Sequence, residues 1–190
     1  QLKHNPPQEE LYKKFYWYES GLNPVIVKDL KEIARIAESY MEKGDMIVDV
    51  GANDGTLLSF VSDKFVQVGI EPAKNLHKKL KKYCKYFYKD FWEDIDKLPG
   101  GKTAKVITAI GMFYDSPDPN LFIQNVWYHL ADDGVFIAQL MTLEPMLIYN
   151  DVGNICHEHL EYYSYASLVR LYEQNGLEIF RVEKNRINGG

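Results

Sequence analysis

Apolar positions along the chain change period several times, and each change predicts an element. Between 27 and 43, Leu30, Ile33, Ala34, Ala37, Tyr40 and Met41 follow one another at steps of three and one. That spacing marks one face of an amphipathic helix, which Gly44 ends. Met46-Ile47-Val48-Asp49-Val50 is a short apolar run, and it flows into Gly51-Ala52-Asn53-Asp54-Gly55. A helix-like stretch to about residue 64 comes next, then a strand over 67–71 and a helix over 74–85 with Leu76, Leu80, Tyr83 and Cys84 on one face. Residues 106–110 read as the next strand, 120–130 as a helix, Asp132-Asp133-Gly134 as a turn and 135–141 as another strand. The stretch 142–163 is long for a connection, and such segments are often functional. A helix over 164–175 with Gly176 as its cap, then a last strand over 177–182, complete the pattern.

Strands that alternate with helices predict crossover units on a mostly parallel sheet with helices on both faces, an α/β fold of the Rossmann-like kind. Residues 1–26 are polar and aromatic, punctuated by Pro6, Pro7 and Pro24, and read as a leader packing on a core of residues 27–190. The chain has 190 residues, 46% hydrophobic and 26% charged, which suits one domain with a real core. Twenty-two basic against 27 acidic residues leave a formal charge of −5, which argues against a nucleic-acid partner. Cys84 and Cys156 form no C-x-x-C pair, so neither a zinc knuckle nor a dithiol redox site is predicted, and a reduced, cytoplasmic setting fits. No apolar run approaches the ~20 residues needed to span a bilayer. The expected partner is a small molecule. The first residue is Gln1 rather than Met, and the chain reads as a piece of something longer.

The strongest chemical signal is Asp49-Val50-Gly51-Ala52-Asn53-Asp54-Gly55. A buried strand ends beside a carboxylate and a glycine-rich turn opens a helix; ligands of open α/β sheets sit beyond such strand ends. A dinucleotide site would carry G-x-G-x-x-G around a pyrophosphate. Here Gly51 and Gly55 are flanked by Asp49 and Asp54, which repel phosphate and attract a cation such as the ammonium of a methionine moiety. Glu71, at the end of the next strand, stands where a carboxylate accepts bonds from ribose hydroxyls, and Asp90-Phe91 offers a carboxylate and an aromatic face for adenine. Together with the family resemblance described next, this arrangement predicts S-adenosyl-L-methionine as the cofactor, with Asp49, Gly51, Asn53 and Gly55 around its methionine part, Glu71 and Pro72 at the ribose, and Asp90 and Phe91 at the base.

Val48 to Gly55 resembles motif I of class I S-adenosylmethionine-dependent methyltransferases, and Val68-Gly69-Ile70-Glu71-Pro72 resembles their motif II. The likeness extends to the C-methyltransferases of deoxysugar biosynthesis, which act on nucleotide-linked 4-keto sugars. Phe15-Tyr16-Trp17-Tyr18-Glu19-Ser20 is similar to their aromatic leader, Cys156-His157-Glu158-His159-Leu160-Glu161-Tyr162-Tyr163 to their tyrosine-His-Glu-His segment, and Ile187-Asn188-Gly189-Gly190 to the start of their Gly-Gly-Ser turn. The resemblance implies one further antiparallel strand beyond residue 190, and flanking zinc-binding and substrate domains that 190 residues do not hold.

A carbon nucleophile is made by removing a proton beside a carbonyl, which needs a positioned base and a stabilised enolate. The resemblance implies His159 as that base, Glu158 as the group that places it or the sugar, and His157 beside them. The family usually carries tyrosine where this chain has Cys156, so a weakly donating thiol replaces a phenol suited to an enolate oxygen; Thr108-Ala109-Ile110-Gly111 stands where paired asparagines are frequent. Other readings stay open: an O- or N-methyltransferase on the same core, or a silent cofactor-binding module. A nicotinamide dehydrogenase is disfavoured by the Gly51–Gly55 spacing. His157, His159 and Glu161 lack H-E-x-x-H spacing, and no metal is predicted. The seven lysines from Lys74 to Lys89 suit a solvated face better than a phosphate site.

Overall fold

A computed structural model of the protein describes residue 4 and residues 6–14, 16–185 and 187. Phe15 of the aromatic segment and Asn188-Gly189-Gly190 of the terminal turn lie outside them. Helix α1 (Pro24–Glu38) starts where Asn23 accepts a bond from the Val25 amide and Pro24 fixes the first turn. It buries Leu30, Ile33, Ala34 and Ala37, the predicted face, and stops before the expected end at residue 43. Strand β1 (Met46–Val50) is buried throughout. Then come β2 (Val66–Ile70), α2 (His77–Leu80), β3 (Tyr86–Tyr88), β4 (Ala104–Ile110), α3 (Pro119–His129), β5 (Leu130–Gln139), α4 (Leu143–Tyr149) and α5 (Tyr165–Gln174).

Among the described residues, the five strands form one sheet in the order β3-β2-β1-β4-β5, with every pairing parallel. Side chains alternate across it. Met46, Val48 and Val50 pack with Phe122, Val126 and Leu168 on one face, while Ile47 packs with α1 on the other. Asp49, two residues from Ile47, therefore faces the α1 side. Because β1 pairs β2 on one side and β4 on the other, the chain reverses its path there, and the crevice opens beyond the carboxyl ends of β1, β2 and β4.

Several expected elements differ. The stretch after Gly55 holds only a 3₁₀ turn, Leu58–Phe60, because Val61 already takes an extended conformation. The helix expected over 74–85 shrinks to four residues; Lys78, Lys79, Lys81 and Lys82 repel one another at helical spacing, and Leu76, in the capping position, makes no side-chain cap bond. Strand β3, flanked by lysines, has no counterpart in the apolar pattern. The expected turn at Asp132-Asp133-Gly134 lies within β5, as a register shift that sets Leu130 opposite Ala104 and Val135 opposite Val106. The long connection contains α4. Residues 177–182 do not join the sheet: the Leu177 amide donates to Tyr172 instead of to a strand neighbour. No helix among the described residues is long and apolar enough to cross a membrane.

Candidate active site

Asp49 is next to last in β1, with 4% of its surface exposed. Its partner across the sheet is Thr108, whose Oγ1 donates to Asp49 Oδ1 at 2.6 Å. Burial pushes the Asp49 carboxyl up to about 7; the Thr108 hydroxyl pulls it down, and the nearby Glu71 charge raises it. Glu71 follows β2 and is also buried. Its Oε2 accepts from the Asn53 amide and its Oε1 from the Ala73 amide, both at 2.8 Å. Burial pushes it up to about 7 as well, against the pull of those two amides.

Gly51 and Gly55 hold φ of +68° and +85°, the left-handed region that glycine enters without strain. A Cβ on Gly55 would stand 3.1 Å from the Leu80 Cα, so the loop also presses against α2. Asn53 shares the left-handed conformation, at φ +53°. Its side chain holds the leader: Oδ1 accepts from the Ser20 amide and Nδ2 donates to the Tyr18 carbonyl, both at 3.0 Å. Asp54 accepts from the Gly21 amide at 2.9 Å, and Asn75 bonds both backbone groups of Tyr16. The leader thus lies across the carboxyl ends of β1 and β2.

Two openings flank the loop. A void of about 20 Å³ is bounded by Ser20, Leu30, Asp49, Gly51, Asn53 and Ile110. A cleft of about 400 Å³ is lined by Lys13, Pro72, Lys74, His77, Lys89 and Asp90, and Phe91 lies beneath the Lys13 ammonium. The residues suit the cofactor. Neither Asp49 nor Glu71 has an ion-pair partner among the described residues, and both resist ionising mainly because they are buried. A bound cation relieves that cost. A sulfonium with an attached ammonium is such a ligand.

On the other side of the crevice, the backbone of Tyr114 accepts from the amides of Leu160 and Glu161, both at 3.0 Å, which fastens the His-Glu-His segment to the turn after β4. The His159 ring stands edge-on to Tyr114 with centroids 4.5 Å apart, and its Nδ1 lies 2.8 Å from the Asn154 carbonyl. The Glu158 carboxylate, half-exposed, is 4.0 Å from His157 Nε2, and the His157 side chain is 71% exposed. Among the described residues, no three His, Cys, Asp or Glu side chains converge as a metal site would need.

Three residues here escaped the sequence reasoning: Tyr12, Tyr114 and Asp115. Asp115 Oδ1 and the Tyr12 hydroxyl are buried without a hydrogen bond of full geometry. Burial pushes the Asp115 carboxyl up to about 8; the nearby Tyr12 phenol pulls it down and the Glu158 charge adds to the rise. Their only sequence signal is position: Tyr114 and Asp115 follow the end of a strand that opens on the crevice.

The comparisons agree with this geometry. Residues 25–182 match the model of a family described as a methyltransferase domain. The C-methyltransferase NovU of Streptomyces niveus is 26% identical over 196 residues, covering 100% of this chain and 46% of that protein, so the chain spans less than half of that relative's length. Mycolic acid cyclopropane synthase CmaA1, solved with S-adenosylhomocysteine and CTAB, superposes with a TM-score of 0.66 at 18% identity over 88% of this chain and 68% of that one. The YcgJ protein from Bacillus subtilis gives 0.63 at 17% identity, covering 78% and 67%. These two likenesses show the fold. With the family match over residues 25–182 and the parallel sheet in this strand order, the chain belongs to the methyltransferase-domain family, as a class I domain whose cofactor is S-adenosyl-L-methionine.

Proposed function

We propose that the domain transfers a methyl group to a carbon beside the ketone of a nucleotide-linked keto-deoxysugar, or a similar small keto substrate, through an enolate. The observation that carries this reading is the orientation of His159. A carbonyl oxygen only accepts, so the contact with Asn154 puts the proton of the neutral ring on Nδ1 and leaves the Nε2 lone pair free. A ring so held is prepared to act as a base, while O- and N-methylations attack through an existing lone pair and need no proton removed from carbon. The relative named a C-methyltransferase supports a carbon acceptor.

In this reading His159 Nε2 takes the proton α to the carbonyl, and the electron pair left on that carbon forms the new C–CH₃ bond. The proton then passes from His159 to water. The bound cofactor would supply the electrophilic methyl group from its sulfonium, whose S–CH₃ bond electrons would stay on sulfur as the thioether S-adenosylhomocysteine. Glu158 places the imidazole or a sugar hydroxyl, and His157, at the rim, supports that segment. On the cofactor side, Asp49, Gly51, Asn53 and Gly55 surround the methionine part, Glu71 and Pro72 the ribose, and Asp90 and Phe91 the base.

The test separates proton removal from methyl transfer. The chain is incubated in D₂O with a nucleotide-linked 4-keto-6-deoxyhexose, with and without S-adenosylmethionine, and followed by NMR. Exchange of the α-proton that His159→Ala abolishes, and a new C–CH₃ signal on adding the cofactor, are expected. A methyl signal on oxygen, or exchange indifferent to His159, would overturn the proposal.

A further inference from the structure

Asp90 lines the cleft beside Pro72 and Phe91 follows it, which brings a carboxylate and a flat aromatic face, the two features by which an aminopurine is held, to the same side chain of the cleft wall, Lys13. Lys13 of the leader occupies both. Its Nζ lies 5.3 Å from the Phe91 ring centroid and 3.9 Å from Asp90 Oδ1. Lys89 also lines the cleft, but its ammonium stands over Phe87 instead. An ammonium over an aromatic face and beside a carboxylate satisfies the same groups as a purine ring with an exocyclic amine.

We propose that Lys13 is a built-in occupant of the base subsite, which the adenine of the cofactor must displace. The inference rests on reading Asp90 and Phe91 as the base-binding pair. Two neighbouring features make the displacement easy. Glu9 Oε1, one turn back along the five-residue π-helical segment Glu9–Lys13, is 3.0 Å from the same Nζ and keeps a partner for the ammonium after it leaves. The backbone at Lys13 and just after it stays fixed, because Lys13 O accepts from the Lys74 amide at 3.4 Å and Asn75 bonds Tyr16. The side chain swings while the strap stays down. Lys13 thereby lowers cofactor affinity, and does so through charge.

The experiment is calorimetric titration of the chain and its Lys13→Met and Lys13→Arg variants with S-adenosylhomocysteine, then with adenosine. Removing the cation while keeping the side-chain length should tighten both ligands about three- to tenfold. Lys13→Arg, which retains a cation for the ring and the carboxylate, should bind like the unsubstituted chain. The proposal is overturned if Lys13→Met binds no tighter, or if Lys13→Arg gains as much, since the charge would then not be the competitor. It also falls if adenosine gains nothing, because the effect would lie away from the base. Absence of S-adenosylhomocysteine binding in all three proteins would instead bring down the cofactor reading itself, and this inference with it.

Discussion

The backbone amide of Asn53 donates to Glu71 Oε2 at 2.8 Å, while the Asn53 side-chain oxygen accepts from the Ser20 amide at 3.0 Å. One residue therefore joins the end of β2 to the leader across the crevice at the carboxyl ends of the strands. It does so from a left-handed backbone that asparagine tolerates better than most residues. The side chain is committed to the leader, so it fixes the position of residues 18–21.

Asn53→Gly tests that junction, because glycine keeps the φ and removes only the side chain. Amide exchange at residues 18–21 should accelerate, and S-adenosylhomocysteine affinity should fall about tenfold from the loss of the bonds to Ser20 and Tyr18. The melting temperature should move little. Unchanged exchange would mean that other contacts hold the leader.

The two buried carboxylates predict how stability depends on pH. Asp49 and Glu71 are both pushed up to about 7, chiefly by burial, so the folded state binds more protons than the unfolded state from about pH 4 upward. Their contribution is complete at the acid end of that window and is lost as pH rises through 7. The melting temperature of the ligand-free domain should fall between pH 5 and pH 8, and Glu71→Gln, which cannot ionise, should flatten that fall. Thermal scans across this range in both proteins check it, and parallel profiles would contradict it.

Thr108 is the hydroxyl that favours the charged form of Asp49. Thr108→Val, nearly equal in volume, leaves that oxygen without its donor. The loss of stability should be about 1–3 kcal/mol at pH 8, where the carboxylate is ionised, and smaller at pH 5. Equal losses at both pH values in chemical denaturation would show that packing, and not the hydrogen bond, is what Thr108 provides.

Gly55 combines a positive φ with a backbone neighbour that cannot step aside. Gly55→Ala puts a methyl 3.1 Å from Leu80 Cα and from the Tyr83 ring, and strains φ at +85°. A cost of about 2–4 kcal/mol is expected, read as a lower denaturation midpoint with the slope preserved. Retained stability would mean that α2 shifts freely.

The two histidines of the loop should separate sharply. In the deuterium-exchange assay, His159→Ala should lose about 100-fold or more of the α-proton exchange rate. His157→Ala, which removes an exposed ring, should stay within about twofold. A large loss at His157 would move the proton-accepting role to it.

The local pattern of the chain determined the elements whose signal is short-range. The spacing from Leu30 to Ala37, the apolar run at 46–50 and the paired carboxylates Asp49 and Glu71 are properties of neighbouring residues, and α1, β1 and the ends of β1 and β2 stand where these predict. The sequence also set Asp49 and Asp54 beside Gly51 and Gly55 in the loop after β1, because charge and glycine placement are readable without coordinates. Tertiary structure alone decided what lies across that loop. Only the folded chain reveals that Asn53 holds the leader, that Lys13 lies over Phe91 and that Asp115 is buried beside Tyr12, because each depends on residues 33 to 103 positions apart. The weak elements were decided there as well. A three-residue strand such as β3 exists only because β2 offers it a ladder, and residues 177–182 stay outside the sheet, with the Leu177 amide already taken by Tyr172 at the end of α5. Periodicity records which face a residue prefers; which neighbour satisfies its backbone is settled only when distant segments meet.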